Sequence, residues 1–139
     1  MNKMTASQFL ARTLSLNNLI ESTKETIERL SPPHCTIGGG GSHTPGNTEP
    51  DRQIKRHELA MKMEKYTETL TEYNDALFDI IASNDVTTRE KILLQQRYML
   101  SKSWKEVAEV LQSPLETVFS MDKRIKSKLN KKTDYWRHI

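Results

Sequence analysis

An all-α fold, with a long helical hairpin or coiled-coil arm followed by a compact helix-turn-helix, follows from three features of this sequence. Apolar or tolerated residues recur in alternating steps of four and three through two separate segments, the spacing of a heptad seam. Two Ser-x-x-Glu signatures, Ser103 with Glu106 and Ser113 with Glu116, lie ten residues apart near the C-terminus. The hydrophobic fraction is 35% against 28% charge, low for a thick globular core and suited to long, solvated helices.

The first helix is expected to open on Thr5 and Gln8, a T-x-x-Q capping box that satisfies backbone donors otherwise orphaned at a helix start. Its seam runs through Phe9, Thr13, Leu16, Ile20, Thr23, Ile27 and Leu30. Ser31-Pro32-Pro33 stops it, because proline removes a donor and restricts the residue before it. Residues 31–50, SPPHCTIGGGGSHTPGNTEP, read as a flexible linker, since four consecutive glycines make one ordered conformation entropically costly. A turn between paired helices needs only about two to eight residues. The length therefore implies a mobile loop or helices that pair between chains. GGGGS lacks the Gly-Lys-Ser/Thr ending of a phosphate-binding loop. Cys35, the single cysteine, cannot form an internal disulfide. With His34 and His43 it falls short of the four ligands of a zinc site, so no cofactor is expected.

A second long helix is expected from near Asp51, with its seam at Leu59, Met63, Tyr66, Leu70, Tyr73, Leu77 and Ile80 and Ile81 widening the stripe. Ile54 and Met61 lie off that seam and mark a second contact face. The arm and its linker thus occupy residues 1–86. Three Phe, four Tyr and two Trp are few anchors for 139 residues, so burial through a homodimer or homo-oligomer is expected.

SNDV, Ser83 to Val86, separates the arm from a second domain at 87–139, which starts with the Thr87/Glu90 capping box. Ile92, Leu93, Leu94 and Tyr98 form the apolar stripe of its first helix. Ser103 and Ser113 then each cap a helix around a very short turn, with Pro114 at the first helical position after Ser113. A helix-turn-helix needs a small residue at the helix crossing, apolar residues one before and three after it, and more at ten and thirteen after. Ala108 with Val107, Leu111, Val118 and Met121 meets every position. Trp104 joins the buried set of the first of these helices, and Ile125 and Leu129 that of the second. Gln112 takes the left-handed turn position that usually holds glycine, at a cost of about 1 kcal/mol.

Charge is distributed unevenly. Residues 1–50 are neutral, residues 51–86 carry five basic and eight acidic side chains, and residues 87–139 carry twelve basic and six acidic. The basic excess belongs to the C-terminal module. With Val118 facing inward, steps of about 100° turn Glu116, Ser120, Lys123, Arg124 and Ser127 outward, with Thr117 and Phe119 on the flanks. In a helix-turn-helix that face enters the major groove of double-stranded DNA. Glu116 suits a cytosine amine, Ser120 several bases and Phe119 a thymine methyl. Lys123, Arg124, Lys126, Lys128, Lys131 and Lys132 supply phosphate contacts, with Lys102 and Lys105 near the preceding helix. Each assignment has a structural alternative. Glu116 also serves a cap, Phe119 also suits packing on the arm or another subunit, and the lysine run also reads as a solvated face. Tyr135, Trp136 and His138 either dock the tail or stack on a partner.

ILLQQRYMLSKSWKEVAEVLQSPLETVFSMDKRIKSKL, Ile92 to Leu129, resembles the promoter-reading region 4 of sigma-70-type factors in RYM, SWKEVAEVL, TV and the basic KRIKSKL tail. The layout of helical N-terminal part, Gly-rich middle and C-terminal module resembles phage late-gene transcriptional regulators of the RinA/ArpU type. The resemblance implies sequence-specific DNA binding near promoters and leaves contact with host RNA polymerase open. Leu115, Thr117 and Phe119 depart from it, standing where basic or polar base readers are usual in sigma factors.

No constellation of nucleophile, base and acid converges in the sequence, so an enzyme is not expected. No apolar run reaches eighteen residues, so neither a membrane partner nor a spanning helix is expected. A signal peptide is not expected either, which points to the bacterial host cytoplasm. Two alternatives to a transcription regulator are a small terminase subunit for DNA packaging and a sigma-like module that engages RNA polymerase without DNA.

Overall fold

The computed structural model describes residues 4–30 and 49–139. Among them every regular element is helical. They are α1 (Ala6–Leu30), α2 (Glu49–Ala82), α3 (Thr88–Leu93) continued by a π-helical segment (Leu94–Met99), α4 (Trp104–Leu111), α5 (Leu115–Leu129) and a single 3-10 turn (Thr133–Tyr135). The all-α expectation is met. His34, Cys35, His43 and nearly all of the Gly-rich stretch lie outside the described residues. The linker assigned to 31–50 ends earlier than expected, since Glu49 and Pro50 already belong to α2. Proline is tolerated in a first turn because its missing donor has no helical partner there.

α1 begins on the expected box: the Thr5 amide donates to Gln8 Oε1 at 3.0 Å and the Gln8 amide to Thr5 Oγ1 at 3.2 Å. α1 and α2 pair antiparallel within the chain. Phe9, near the start of α1, stacks on Tyr73 near the end of α2 at 5.6 Å. At the other end Arg56 Nη1 donates to Leu30 O at 3.0 Å. The long connection therefore does not force pairing between chains.

Burial along the arm is graded. Ala6, Phe9, Leu10 and Thr13 of α1 and Tyr73, Ala76, Leu77 and Ile80 of α2 are buried, whereas Leu16, Ile20, Leu59, Met63, Tyr66 and Leu70 are only half-buried. Two helices alone enclose a seam incompletely, and apart from Thr23 full burial occurs at the base of the arm, where further elements close over it. Thr13 and Thr23 are tolerated on that seam because their hydroxyls donate to Phe9 O and Leu19 O, one turn earlier. Leu19, Ile54, Met61 and Phe78 stand exposed outside it. Among the described residues no helix is long and apolar enough to cross a membrane.

The base of the arm and the C-terminal helices share one apolar core. Trp136, from the tail, is the closing piece. Its ring stacks on Phe9 at 4.7 Å and its Nε1 donates to Met4 O at 2.7 Å. Asn130 Oδ1 accepts from the Ala6 amide at 2.9 Å, tying the end of α5 to the start of α1. Of the two assignments open for the tail, docking is what Trp136 does. Tyr135 also docks, its hydroxyl donating to Asp85, while His138 remains exposed.

Candidate nucleic-acid interface

α3 starts on the complete Thr87/Glu90 capping box. Its continuation was not expected as a π-helix: the Leu100 amide donates to Gln95 O at 3.0 Å, five residues back. The extra residue in that turn coincides with close packing. Leu94 and Tyr98 are buried, and Tyr98 O accepts from Asn17 Nδ2 of α1 at 3.0 Å. Ser101 then reverses the chain at φ 55, bringing it to α4.

Ser103 caps α4, accepting from the Glu106 amide at 3.2 Å. Its hydroxyl also donates to Glu106 Oε1 at 3.1 Å, so the two side chains meet directly. Gln112 adopts the left-handed conformation at φ 51 and ψ 45. The Ser113 amide donates to Ala108 O and the Gln112 amide to Glu109 O, the paired bonds that close a helix end around a left-handed residue.

The second cap departs from expectation. Pro114, not Ser113, is the residue preceding α5, and no side chain caps that helix. The Ser113 hydroxyl turns back instead, donating to Leu111 O at 3.1 Å and accepting from Arg89 Nη2. Arg89 also donates to Leu111 O at 3.1 Å. The backbone of 112–113 is already committed to closing α4, and Arg89 reaches across from α3 to hold Ser113 there. Glu116 is thereby released from the reciprocal bond of a capping box.

Val107, Leu111, Val118, Met121, Ile125 and Leu129 are buried, while Trp104 and Ala108 are half-buried. Asp122 is buried as well, which the apolar pattern could not show. It accepts from Tyr98 Oη at 2.7 Å and from Lys126 Nζ at 2.8 Å. Burial, with the hydrogen bond to the Asp122 carboxylate next, pushes the Tyr98 phenol well above its ordinary range, while the Arg97 charge opposes this.

Side chains of the outward face fall into two sets. Glu116, Thr117, Ser120, Lys123, Arg124 and Ser127 are exposed. None of them makes a side-chain hydrogen bond or ion pair among the described residues. Lys105, Lys131 and Lys132 are exposed and unpaired in the same sense. Lys126 and Lys128 differ from expectation. They lie about 80° to either side of the inward line, and each is drawn onto a buried carboxylate. Lys126 pairs with Asp122, and Lys128 pairs with Glu90 at 2.7 Å. No acid separates the lysines in sequence, but α3 supplies one in space. Lys102 is exposed and 3.7 Å from Glu106, while its carbonyl accepts from Arg97 Nη1 at 2.8 Å.

Within the chain, Phe119 packs edge-on against Trp104, 5.3 Å away at 78°. It keeps 42% of its surface exposed, and Leu115, one turn earlier, keeps 43%. Comparison with protein-family models, curated proteins and solved structures gives no significant match to this chain.

Proposed function

We propose that this chain is a non-enzymatic, sequence-specific DNA-binding regulator of transcription that acts at promoters as a dimer or oligomer, in the manner of the phage late-gene regulators it resembles. The observation that carries the reading is the outward face of α5. Glu116, Thr117, Ser120, Lys123, Arg124 and Ser127 are exposed and unpaired on a helix otherwise packed by Val118, Met121, Ile125 and Leu129. Uncommitted hydrogen-bonding groups and cations on one rigid helix, preceded by a tight turn from another, are what major-groove docking requires. Self-association is supported by the half-buried seam of the arm and by the exposed Leu19, Ile54, Met61 and Phe78, apolar surface that a second copy can cover.

Phosphate contacts fall to Lys105, Lys123, Arg124, Lys131 and Lys132, the exposed and unpaired cations of the module. Five such contacts give a logarithmic salt slope of about −4.5 per subunit. The test is selection of bound fragments from a random duplex pool by the full chain, followed by gel shift of the selected site. Lys123→Glu with Arg124→Glu abolishes the shift on this reading. Unchanged binding by that pair sinks the proposed groove face. Failure to bind any duplex at low salt replaces the reading with a protein-binding role, and a ring of eight or more subunits by light scattering favours a packaging role.

A further inference from the structure

DNA binding by itself leaves open which bases are read, and the first two turns of α5 are informative through what they lack. From Leu115 to Met121 the helix carries no Arg, Lys, Asn or Gln, the side chains that make paired hydrogen bonds to guanine or adenine in the major groove. Lys123 and Arg124 come only after the buried Asp122. Base edges are usually met by the N-terminal part of such a helix. Here those positions expose two large apolar side chains, Leu115 and Phe119, one turn apart.

Phe119 is fixed as well as exposed. Its ring is held by Trp104, and the Arg97 guanidinium lies 4.6 Å from the centroid of that Trp104 ring. Arg97 is itself anchored on Lys102 O. An aromatic held this way loses little freedom on contact with a partner. One turn beyond Phe119 on the same side of α5 stands Lys123, exposed and without an ion pair among the described residues. The surface therefore suits a polyanion that carries apolar groups at its readable edge, and in the major groove the only such group is the 5-methyl of thymine.

We propose that Leu115 and Phe119 read thymine 5-methyl groups, so that each half-site is thymine-rich where it faces the start of α5. This rests on the DNA-binding reading above. The test compares the selected duplex with the same duplex in which deoxyuridine replaces thymine, removing only that methyl. Wild-type protein is expected to bind the uracil duplex about fourfold more weakly for each methyl lost from contact. Leu115→Ala and Phe119→Ala each shrink that difference, and the double variant binds both duplexes equally. Equal binding of the two duplexes by the wild type overturns the proposal while leaving DNA binding intact. A double variant that keeps the full difference overturns the assignment to these two residues. No binding to either duplex at low salt overturns the DNA-binding reading and this one with it. Because Phe119→Ala withdraws a ring from Trp104, helicity of each variant is checked by circular dichroism, and the wild-type comparison needs no substitution at all.

Discussion

The ammonium of Lys128 on α5 lies 2.7 and 3.0 Å from the two carboxylate oxygens of Glu90 on α3. Glu90 is only 2% exposed and also accepts from the Thr87 amide at 2.8 Å. One carboxylate thus closes the start of one helix and clamps it to another. Lys128→Ala leaves that charge buried with half its partners. The cost is about 2 kcal/mol, below the range for a fully buried pair because the lysine is part-exposed. Urea unfolding measures it, and Glu90→Gln in the Lys128→Ala background recovers part of the loss. A fully additive double variant rules the coupling out.

The same site sets an acid limit. Burial works to raise the Glu90 carboxyl pKa, but the Lys128 hydrogen bond, the Thr87 amide and the Lys128 charge outweigh it and hold the group below its ordinary 4.5. A depressed folded pKa contributes stability above the unfolded value, which is lost as pH falls through the folded one. Wild-type stability is expected to drop below pH 4.5 more steeply than that of Glu90→Gln. Tyr98 sets the opposite limit. Its raised pKa contributes stability that is intact below the ordinary 10.0 and lost as pH climbs past it. Absorbance titration of Tyr98→Phe against wild type is expected to assign the last phenol to ionise to Tyr98.

Two serines that look alike in sequence have different roles. Ser103→Ala removes a helix cap and is expected to cost about 1 kcal/mol. Gln112→Gly relieves a left-handed non-glycine residue at φ 51 and is expected to stabilise by about 0.5 kcal/mol after the entropy of glycine is deducted. Ser113→Ala removes no cap of α5. Its effect is expected instead to shrink in an Arg89→Ala background, because Arg89 is one of the two partners it loses, Leu111 O being the other. Denaturation midpoints of the four single variants and of the Arg89→Ala/Ser113→Ala double variant decide.

Trp136→Ala removes a ring stacked on Phe9 and is expected to cost about 3 kcal/mol. Because arm and module share that core, far-UV and tryptophan signals should fall in one transition in both proteins. Separate transitions in the wild type contradict a shared core.

Phosphate contacts should follow pairing in space. Lys123→Ala is expected to reduce the salt slope of DNA binding by about one unit. Lys126→Ala, which loses a cation already held by Asp122, is expected to change the slope much less. Equal effects would show that the Asp122 pair opens on binding.

The local rules of helix formation were legible in the sequence. Heptad spacing located both seams residue by residue, from Phe9 to Leu30 and from Leu59 to Ile80, because burial on a helix follows its fixed period. The Thr5, Thr87 and Ser103 caps, the left-handed Gln112 and the inward row from Val107 to Leu129 are local or periodic in the same way. What lies between elements was decided only by tertiary structure. Arg89 diverts Ser113 from capping, Tyr98 and Lys126 permit a buried Asp122, Glu90 captures Lys128, and Trp136 closes over Phe9. Each joins residues distant in sequence or on different helices, or depends on an inward turn that polarity does not announce, so no periodicity encodes it. Sequence determined which faces point inward, and packing decided which cations on the outer face remain free.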